Sequence, residues 1–188
     1  MSRGPSRRQV LQAAAVGTGA VWLGSGTAAA AEGTPGLVEV PVEGTDARVR
    51  LQSGAVTVVL LHAVRRWAYE IAPLGPSDVV ADASGTAVHL RPGCFPAGAS
   101  GGFSAPELVV LRDVLAAGEG VLTWGGDDAV PDEGLLRVDV AHPRLADVAA
   151  RLQALRGTAS GPGGGEGLVF TEARRAQARA LQRVQQRR

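Results

Sequence analysis

The sequence predicts a single α+β domain with a small antiparallel sheet flanked by helices. A chain of 188 residues is long enough for one domain whose core folds unaided. Short strand-like runs and longer amphipathic runs follow one another without the strict strand–helix–strand alternation of a parallel sheet. A glycine-rich stretch at 157–167 then interrupts the pattern and predicts a flexible linker.

The first two predicted elements are an edge strand and a buried helix. Residues 37–42 alternate in hydrophobicity, and Pro41 is tolerated there only if the strand lies at an edge. Residues 55–67 are mostly apolar and predict a buried helix. Arg65 and Arg66 lie near its end, where cations stabilise the helix dipole.

Two short strands are expected next. Residues 69–72 form a predicted strand before the break at Pro73-Leu74-Gly75-Pro76, and residues 86–91 form another that Pro92-Gly93 closes. Alternate side chains of a strand point to opposite faces, so His89 projects away from its apolar neighbours and can line a cleft.

The clearest helix start in the chain is at Ser104. Ser104 suits the N-cap, Pro106 the first turn, and Glu107 the position three residues after the cap. An apolar stripe follows, and Gly118 or Gly120 ends the helix.

The remaining elements are two strands, a helix and a tail. Strands are expected at 121–124 and 135–140, and an amphipathic helix at 143–155. The tail from 171 to 188 is basic and helix-prone.

The N-terminus has the three parts of a signal peptide. Arg7 and Arg8 lie in Ser-Arg-Arg-Gln-Val-Leu-Gln, which resembles the twin-arginine export motif Ser/Thr-Arg-Arg-x-Phe-Leu-Lys. An uncharged, weakly apolar segment follows and ends in small residues that permit cleavage after Ala30 or Ala31. Its scattered glycines argue against a stable membrane span. We therefore expect export and no transmembrane span after signal removal; the alternative is a cytoplasmic protein with an apolar N-terminal helix.

The charge distribution argues against a nucleic-acid partner. All 19 basic residues are Arg, and six of them lie in residues 166–188 with only two Glu. The body from 32 to 165 is acidic, whereas nucleic-acid-binding domains concentrate positive charge on a folded face. The basic tail could contact an anionic wall polymer or a membrane surface, or be a solvated end.

The pair with the most chemical content is Asp82 and His89, a carboxylate and an imidazole seven residues apart around a glycine turn. Such a pair can begin a metal site, but catalytic zinc requires three protein ligands and an open position for water. Two ligands alone leave open that His89 is a hydrogen-bonded strand histidine without a metal.

Three blocks together resemble the M15 peptidases. They are Asp82 to His89, Trp124-Gly125-Gly126-Asp127 and Pro131-Asp132-Glu133, set against Ser-x-His-x-x-Gly-x-Ala-x-Asp, Trp-Gly-Gly-Asp and Asp/Glu-x-Met-His-Phe-Glu in the family. These zinc D-alanyl-D-alanine carboxypeptidases and L-alanyl-D-glutamate endopeptidases share an α+β fold with Hedgehog domains. The similarity covers residues 37–156 and implies that fold here.

The resemblance also assigns roles to individual residues. The first two zinc ligands fall on Asp82 and His89, with His and Asp exchanged relative to the family. The catalytic acid/base falls on Asp132, and the last ligand falls on Leu135, which cannot bind metal. The family's following Glu falls on Arg137, whose guanidinium we expect to pair with Asp82 or Asp132 and to replace the zinc charge. The alternative is that Arg137 points to solvent and contributes little.

These assignments imply an exported, cell-envelope protein that has lost peptidase chemistry, needs no cofactor, and binds peptidoglycan or an envelope protein. One alternative is an active zinc peptidase of peptidoglycan that takes a ligand from elsewhere. Another is a structural partner of a second secreted protein. The expected organisation is a signal peptide at 1–31, linkers at 32–36 and 157–167, the peptidase-like domain at 37–156 and a basic tail at 168–188.

Overall fold

The computed structural model describes residues 36–158 and 172–186. Arg7, Arg8, Ala30 and Ala31 lie outside these ranges with the rest of the predicted signal peptide, and so does most of the predicted glycine-rich linker. Export and cleavage therefore stay predictions.

The predicted α+β class is confirmed, since the described residues form helices and two small antiparallel sheets. The first sheet pairs β1 (Leu37–Pro41) with β2 (Arg48–Gln52). The second contains β3 (Val79–Ala81), β4 (Ala87–Leu90), β5 (Leu122–Trp124) and β6 (Leu135–Val138) in the order β3-β4-β6-β5. All neighbours in it are antiparallel.

One face of the four-stranded sheet is turned to the core. Val88, Leu90 and Leu136 are fully buried on that face, as the period-two alternation of strands requires. His89 pairs in register with Leu135 on the opposite face, where both residues are only partly buried. The outer face of β4 and β6 therefore carries His89 and Leu135, two of the predicted site positions.

The described helices are α1 (Ala55–Glu70), α2 (Ala105–Ala117), α3 (Leu145–Thr158) and α4 (Glu172–Gln185), and a 3-10 helix covers Gly125–Asp127. α3 packs against α1, and α4 packs against α2. The buried ring of Trp67 on α1 meets Phe95 and Phe103 edge-on, and Phe103 in turn meets Trp124 edge-on. This aromatic cluster fixes the end of β5 beside which the candidate site is built.

The helix start at Ser104 is confirmed in detail. Ser104 is the N-cap of α2, and the Glu107 carboxylate accepts hydrogen bonds from its backbone N–H at 2.7 Å and from its hydroxyl at 2.6 Å. Gly118 is the C-cap. The other predicted helices and most of the predicted strands occur where expected, with bounds that differ by a few residues.

The strand expected at 69–72 is wrong. Tyr69 and Glu70 are the last residues of α1, and the N–H groups of Ile71 and Ala72 both bond to the carbonyl of Trp67. No residue between 67 and 70 interrupts a helix, so α1 continues almost to the proline break.

Two observed strands, β2 and β3, are not among those predicted from the sequence. In β2, the buried Val49 and Leu51 alternate with exposed arginines, which is a strand pattern on a half-buried surface. β3 is only three residues long and pairs in register with β4. A strand this short carries too little pattern to be recognised alone.

Within the described ranges, no helix combines the length and the hydrophobicity that crossing a bilayer requires.

Candidate functional site

Asp82 organises the turn of the β3–β4 hairpin. Its Oδ1 accepts the N–H groups of Thr86 and Ala87 at 2.9 Å each, and its Oδ2 accepts the hydroxyl and the N–H of Ser84. Partial burial raises the pKa of Asp82, but the donors of Ser84, Ala87 and Thr86 together hold that pKa below its ordinary value. Both oxygens are thus committed to the turn.

His89 lies farther along the hairpin than the ligand role requires. The N–H of Asp82 bonds to the carbonyl of Ala87, so Asp82 is level with Ala87 and two residues from His89. At ~3.3 Å per residue, this is about 7 Å along the strand. The hairpin puts Asp82 and His89 on one face but does not bring their side chains together.

The partner of His89 is Asp132. Nε2 of His89 is 2.8 Å from Oδ1 of Asp132, and the two side chains are 24% and 21% exposed. Both atoms are shielded from solvent and have no aligned hydrogen bond with any described group, so the two atoms are in close contact without straight N–H···O geometry. The structure therefore places His89 and Asp132 in contact, the two residues to which the sequence resemblance gives a metal-ligand role and an acid/base role.

Gly125, in the Trp-Gly-Gly-Asp block, permits the approach of the segment that carries Asp132. The N–H of Asp132 bonds to the carbonyl of Gly125 at 2.9 Å. A Cβ on Gly125 would come within 2.5 Å of the Asp132 carbonyl oxygen, closer than van der Waals contact allows. The indole N–H of Trp124 bonds to the carbonyl of Glu133 at 2.7 Å and fixes the same segment from the other side.

Glu133 ties this segment to the loop before α2. Its carboxylate is 7% exposed and accepts the N–H groups of Gly101 and Gly102 at 2.8 Å each. A buried carboxylate with two backbone donors is well satisfied and geometrically fixed. Glu133 was not expected from the sequence to have a role of its own, because its burial is visible only in the fold.

Leu135, on which the sequence resemblance puts the last metal ligand, is paired directly opposite His89 across β4 and β6. Cross-strand partners project on the same face, so an apolar side chain lies beside the imidazole. Gly134, the residue before Leu135, lies so close to His89 that a Cβ on it would be 2.5 Å from Nε2 of the imidazole. The outer face at this point is a mixed surface of imidazole, carboxylate and aliphatic carbon.

Arg137 does not pair with Asp82 or Asp132, so that expectation is wrong. Its guanidinium lies 2.8 Å from both carboxylate oxygens of Asp128. Asp128 directly follows the 3-10 helix after β5, which is the strand next to β6, and is therefore nearer in the sheet than the turn that holds Asp82. Asp132 already has His89 as its neighbour. Both partners of the Arg137 pair are more than one-third exposed, so it contributes little to stability.

The neighbouring carboxylate, Asp127, is held by α2. Arg112 makes two contacts with it, at 2.5 and 2.7 Å, and places its guanidinium over the ring of Trp124 at 4.8 Å from the centroid. The Gln186 amide donates to the same carboxylate at 3.2 Å. The acidic end of the Trp-Gly-Gly-Asp block is thus a structural clamp between the sheet and two helices.

The arrangement does not fit a catalytic zinc ion. The oxygens of Asp82 are used by four donors of its own turn, and Leu135 offers no ligand atom. In the described part of the chain, no group of three or more His, Cys, Asp or Glu side chains is placed to hold a metal. The donor set that remains, His89 with Asp132, falls one short of the three that catalytic zinc requires.

A scan of protein-family models, a search of curated proteins and a search of solved structures returned no match to this chain.

Proposed function

We propose that this protein is an exported binding protein of the cell envelope, built on the Hedgehog/DD-peptidase fold of the M15 peptidases and without their hydrolytic activity. The four-stranded antiparallel sheet with helices packed on its inner face supports the fold assignment. The three sequence blocks that resemble the family all meet around one point of the structure, the segment from Gly125 to Leu135 beside His89.

The observation that carries the proposal is the direct contact of His89 with Asp132. A general base must reach the water molecule or hydroxyl group that it activates. Here Oδ1 of Asp132 is buried against an imidazole, and the position of the last metal ligand is aliphatic. These residues form a polar and apolar surface that suits recognition of a peptide better than its cleavage.

The ligand that we propose is the peptide portion of peptidoglycan, and a binding assay tests it. Asp132→Asn should weaken retention on purified peptidoglycan about tenfold, because an amide replaces the carboxylate next to His89. Asp46→Asn is the matched control, since Asp46 is exposed on a turn of the other hairpin and should leave retention unchanged. Equal retention of all three proteins would contradict binding through this surface.

The loss of hydrolysis has its own test. The purified protein should contain no stoichiometric zinc and should leave muropeptides uncut, because two ligands do not provide the affinity or the open water position that a zinc hydrolase needs. Stoichiometric zinc together with muropeptide cleavage that a chelator abolishes would establish the active peptidase instead.

Export depends on a different part of the chain. Residues 1–35 fused to a folded reporter should direct its secretion, and replacing Arg7 and Arg8 by Lys should abolish it. Continued secretion of the doubly substituted fusion would remove the twin-arginine pathway from the proposal.

A further inference from the structure

A groove between α2 and α4 lies apart from the residues of the His89 site. It has a volume of about 260 Å³. Leu108, Val109 and Ala178 supply apolar lining, and Arg175 and Arg179 contribute guanidinium groups from α4. Its size is near the lower end of the range for small-molecule pockets.

A second depression of about 520 Å³ adjoins the first. Val109, Arg175 and Arg179 line both, so these side chains stand between the two. Val109 is 41% exposed, although it is a large apolar residue. An exposed apolar side chain between two arginines gives this surface both kinds of contact that an amphiphilic ligand makes.

The carboxylates around the groove already have partners. Asp113 lies 2.6 Å from Arg66, and Arg66 also holds both oxygens of Glu70. Glu107 accepts the two hydrogen bonds of the α2 cap from Ser104. The oxygens of these carboxylates that face Arg66 and Ser104 are therefore already bonded within the protein, and Arg179 is not among their partners.

Arg112 and Arg179 both line the groove, but they differ in whether another residue already binds their guanidinium group. Arg112 is committed to Asp127 through two contacts. Arg179 is exposed, and within the described ranges it makes no hydrogen bond or ion pair with another residue. Its guanidinium thus keeps all five donors for a ligand.

We propose that this groove binds a small amphiphilic anion, with one phosphate or carboxylate group held by Arg179 and a short apolar body laid on Val109 and Leu108. The planar guanidinium fork matches the oxygens of either anion. The apolar lining gives the rest of the molecule a surface on which to leave water.

Titration of the full chain with hexyl phosphate and with hexanoate tests the proposal, with hexanol as the neutral probe. Both anions should bind and shift the NMR signals of the Val109 methyl groups, and hexanol should bind at least tenfold more weakly. Arg179→Gln should weaken binding of the anions about tenfold, as expected for loss of a charge-assisted hydrogen-bond partner.

Arg183→Gln is the matched control. Arg183 lies one turn further along the same helix, is exposed, and lines neither depression. Its replacement should change the affinity less than twofold. An equal loss from both substitutions would show that the anions respond only to the general charge of α4, and hexanol binding as tightly as the anions would show an apolar site; either result overturns the proposal.

The source of the anion is settled by a second arm, flotation with phosphatidylglycerol vesicles. Vesicle binding that Arg179→Gln reduces more than Arg183→Gln identifies a lipid headgroup. Binding of hexyl phosphate without vesicle binding identifies a soluble ligand. Failure of all probes to bind overturns the site and leaves the peptidoglycan proposal untouched, because His89, Asp132 and Leu135 do not line the groove.

Discussion

Gly134 lies so close to His89 that any side chain at this position would overlap the imidazole. A Cβ would be 2.5 Å from Cδ2 and Nε2 of His89 and 2.7 Å from the carbonyl oxygen of Leu90. Because the carbonyl oxygen of Leu90 belongs to the backbone and cannot turn aside as a side chain can, an added methyl group must displace the imidazole or the strand itself. Gly134→Ala should therefore cost about 1–3 kcal/mol, as overpacking of a tight contact does.

Chemical denaturation measures that cost, and the NMR signals of the His89 ring report the displacement. Gly93→Ala is the control, because a Cβ at Gly93 meets no atom within 4 Å. It should be neutral or slightly stabilising, as alanine reduces the entropy of the unfolded chain. Equal stability of the two variants would mean that the His89 ring is not confined by Gly134.

Asp82 gives a prediction with a defined pH dependence. Its pKa in the folded protein is lowered, since hydrogen bonds from Ser84, Ala87 and Thr86 outweigh the effect of partial burial. A lowered pKa means that the stabilisation is present above the ordinary Asp pKa of about 3.9 and is lost as the pH falls through the folded value. Asp82→Ala should cost about 1 kcal/mol at pH 7, because these bonds are partly exposed to solvent.

Thermal unfolding between pH 7 and pH 2 follows this loss. The difference between the native protein and Asp82→Ala should stay constant down to about pH 4 and shrink below it. Asp82→Asn should cost less at pH 7, since it keeps an acceptor for Thr86 and Ala87. If Asp82 were instead a metal ligand, added zinc would stabilise the native protein but not the variant.

At the level of residues, the sequence does not show which side chains become partners. The sequence points to both His89 and Asp132. Their contact, however, depends on the segment before β6, in which the N–H of Asp132 bonds to the carbonyl of Gly125. Asp82 was expected as a possible metal ligand, but a carboxylate beside Ser and Thr in a turn bonds to its own backbone first. Which of these competing bonds forms depends on the fold.

At the level of elements, Glu133 joins the loop before α2 to the segment before β6. Glu133→Gln would replace one acceptor oxygen by an amide group that cannot accept the N–H of Gly101 or Gly102. One backbone donor in a buried place then loses its partner, at a cost of about 1–3 kcal/mol. We expect lower stability in denaturant and faster proteolysis between residues 96 and 103.

Glu39→Gln is the control for this charge change. Glu39 pairs with Arg48 on the exposed β1–β2 hairpin, and its side chain is 53% exposed. Such a surface pair contributes less than about 1 kcal/mol. If both substitutions left the loop equally resistant to protease, Glu133 would not be what holds it.

The start of α2 and the end of α1 show how far the local sequence determines where a helix begins and ends. The start of α2 was predicted to the residue, because the capping box of Ser104 and Glu107 is a local interaction that needs no other part of the chain. The end of α1 was placed too early, because Trp67 and Tyr69 suit a strand as well as a helix. Tertiary packing of Trp67 in the aromatic cluster decides for the helix.

At the level of the whole molecule, α4 protects the open edge of the four-stranded sheet. β5 is the last strand in the order β3-β4-β6-β5, so no strand from the described residues lies on its other side. The amide of Gln185 donates to the carbonyl of Leu122 in β5 at 3.0 Å, and Leu181 packs against the core. A basic helix that looks like a solvated tail in the sequence thus covers an edge that could otherwise pair with another chain.

Two single variants test this role by placing the same negative charge at different positions of α4: Leu181→Asp and Val184→Asp. Leu181 is partly buried against the core, whereas Val184 is 55% exposed. A carboxylate at 181 should detach α4 and lower the free energy of unfolding by about 1–3 kcal/mol, because it removes apolar contact and would have to be buried without a partner. At 184 it should change that free energy by less than about 0.5 kcal/mol.

Sedimentation should show concentration-dependent association of Leu181→Asp alone, since detachment exposes the edge of β5. Two monomeric variants of equal stability would mean that the sheet does not depend on α4, and that its edge is protected by the short length of β5 itself.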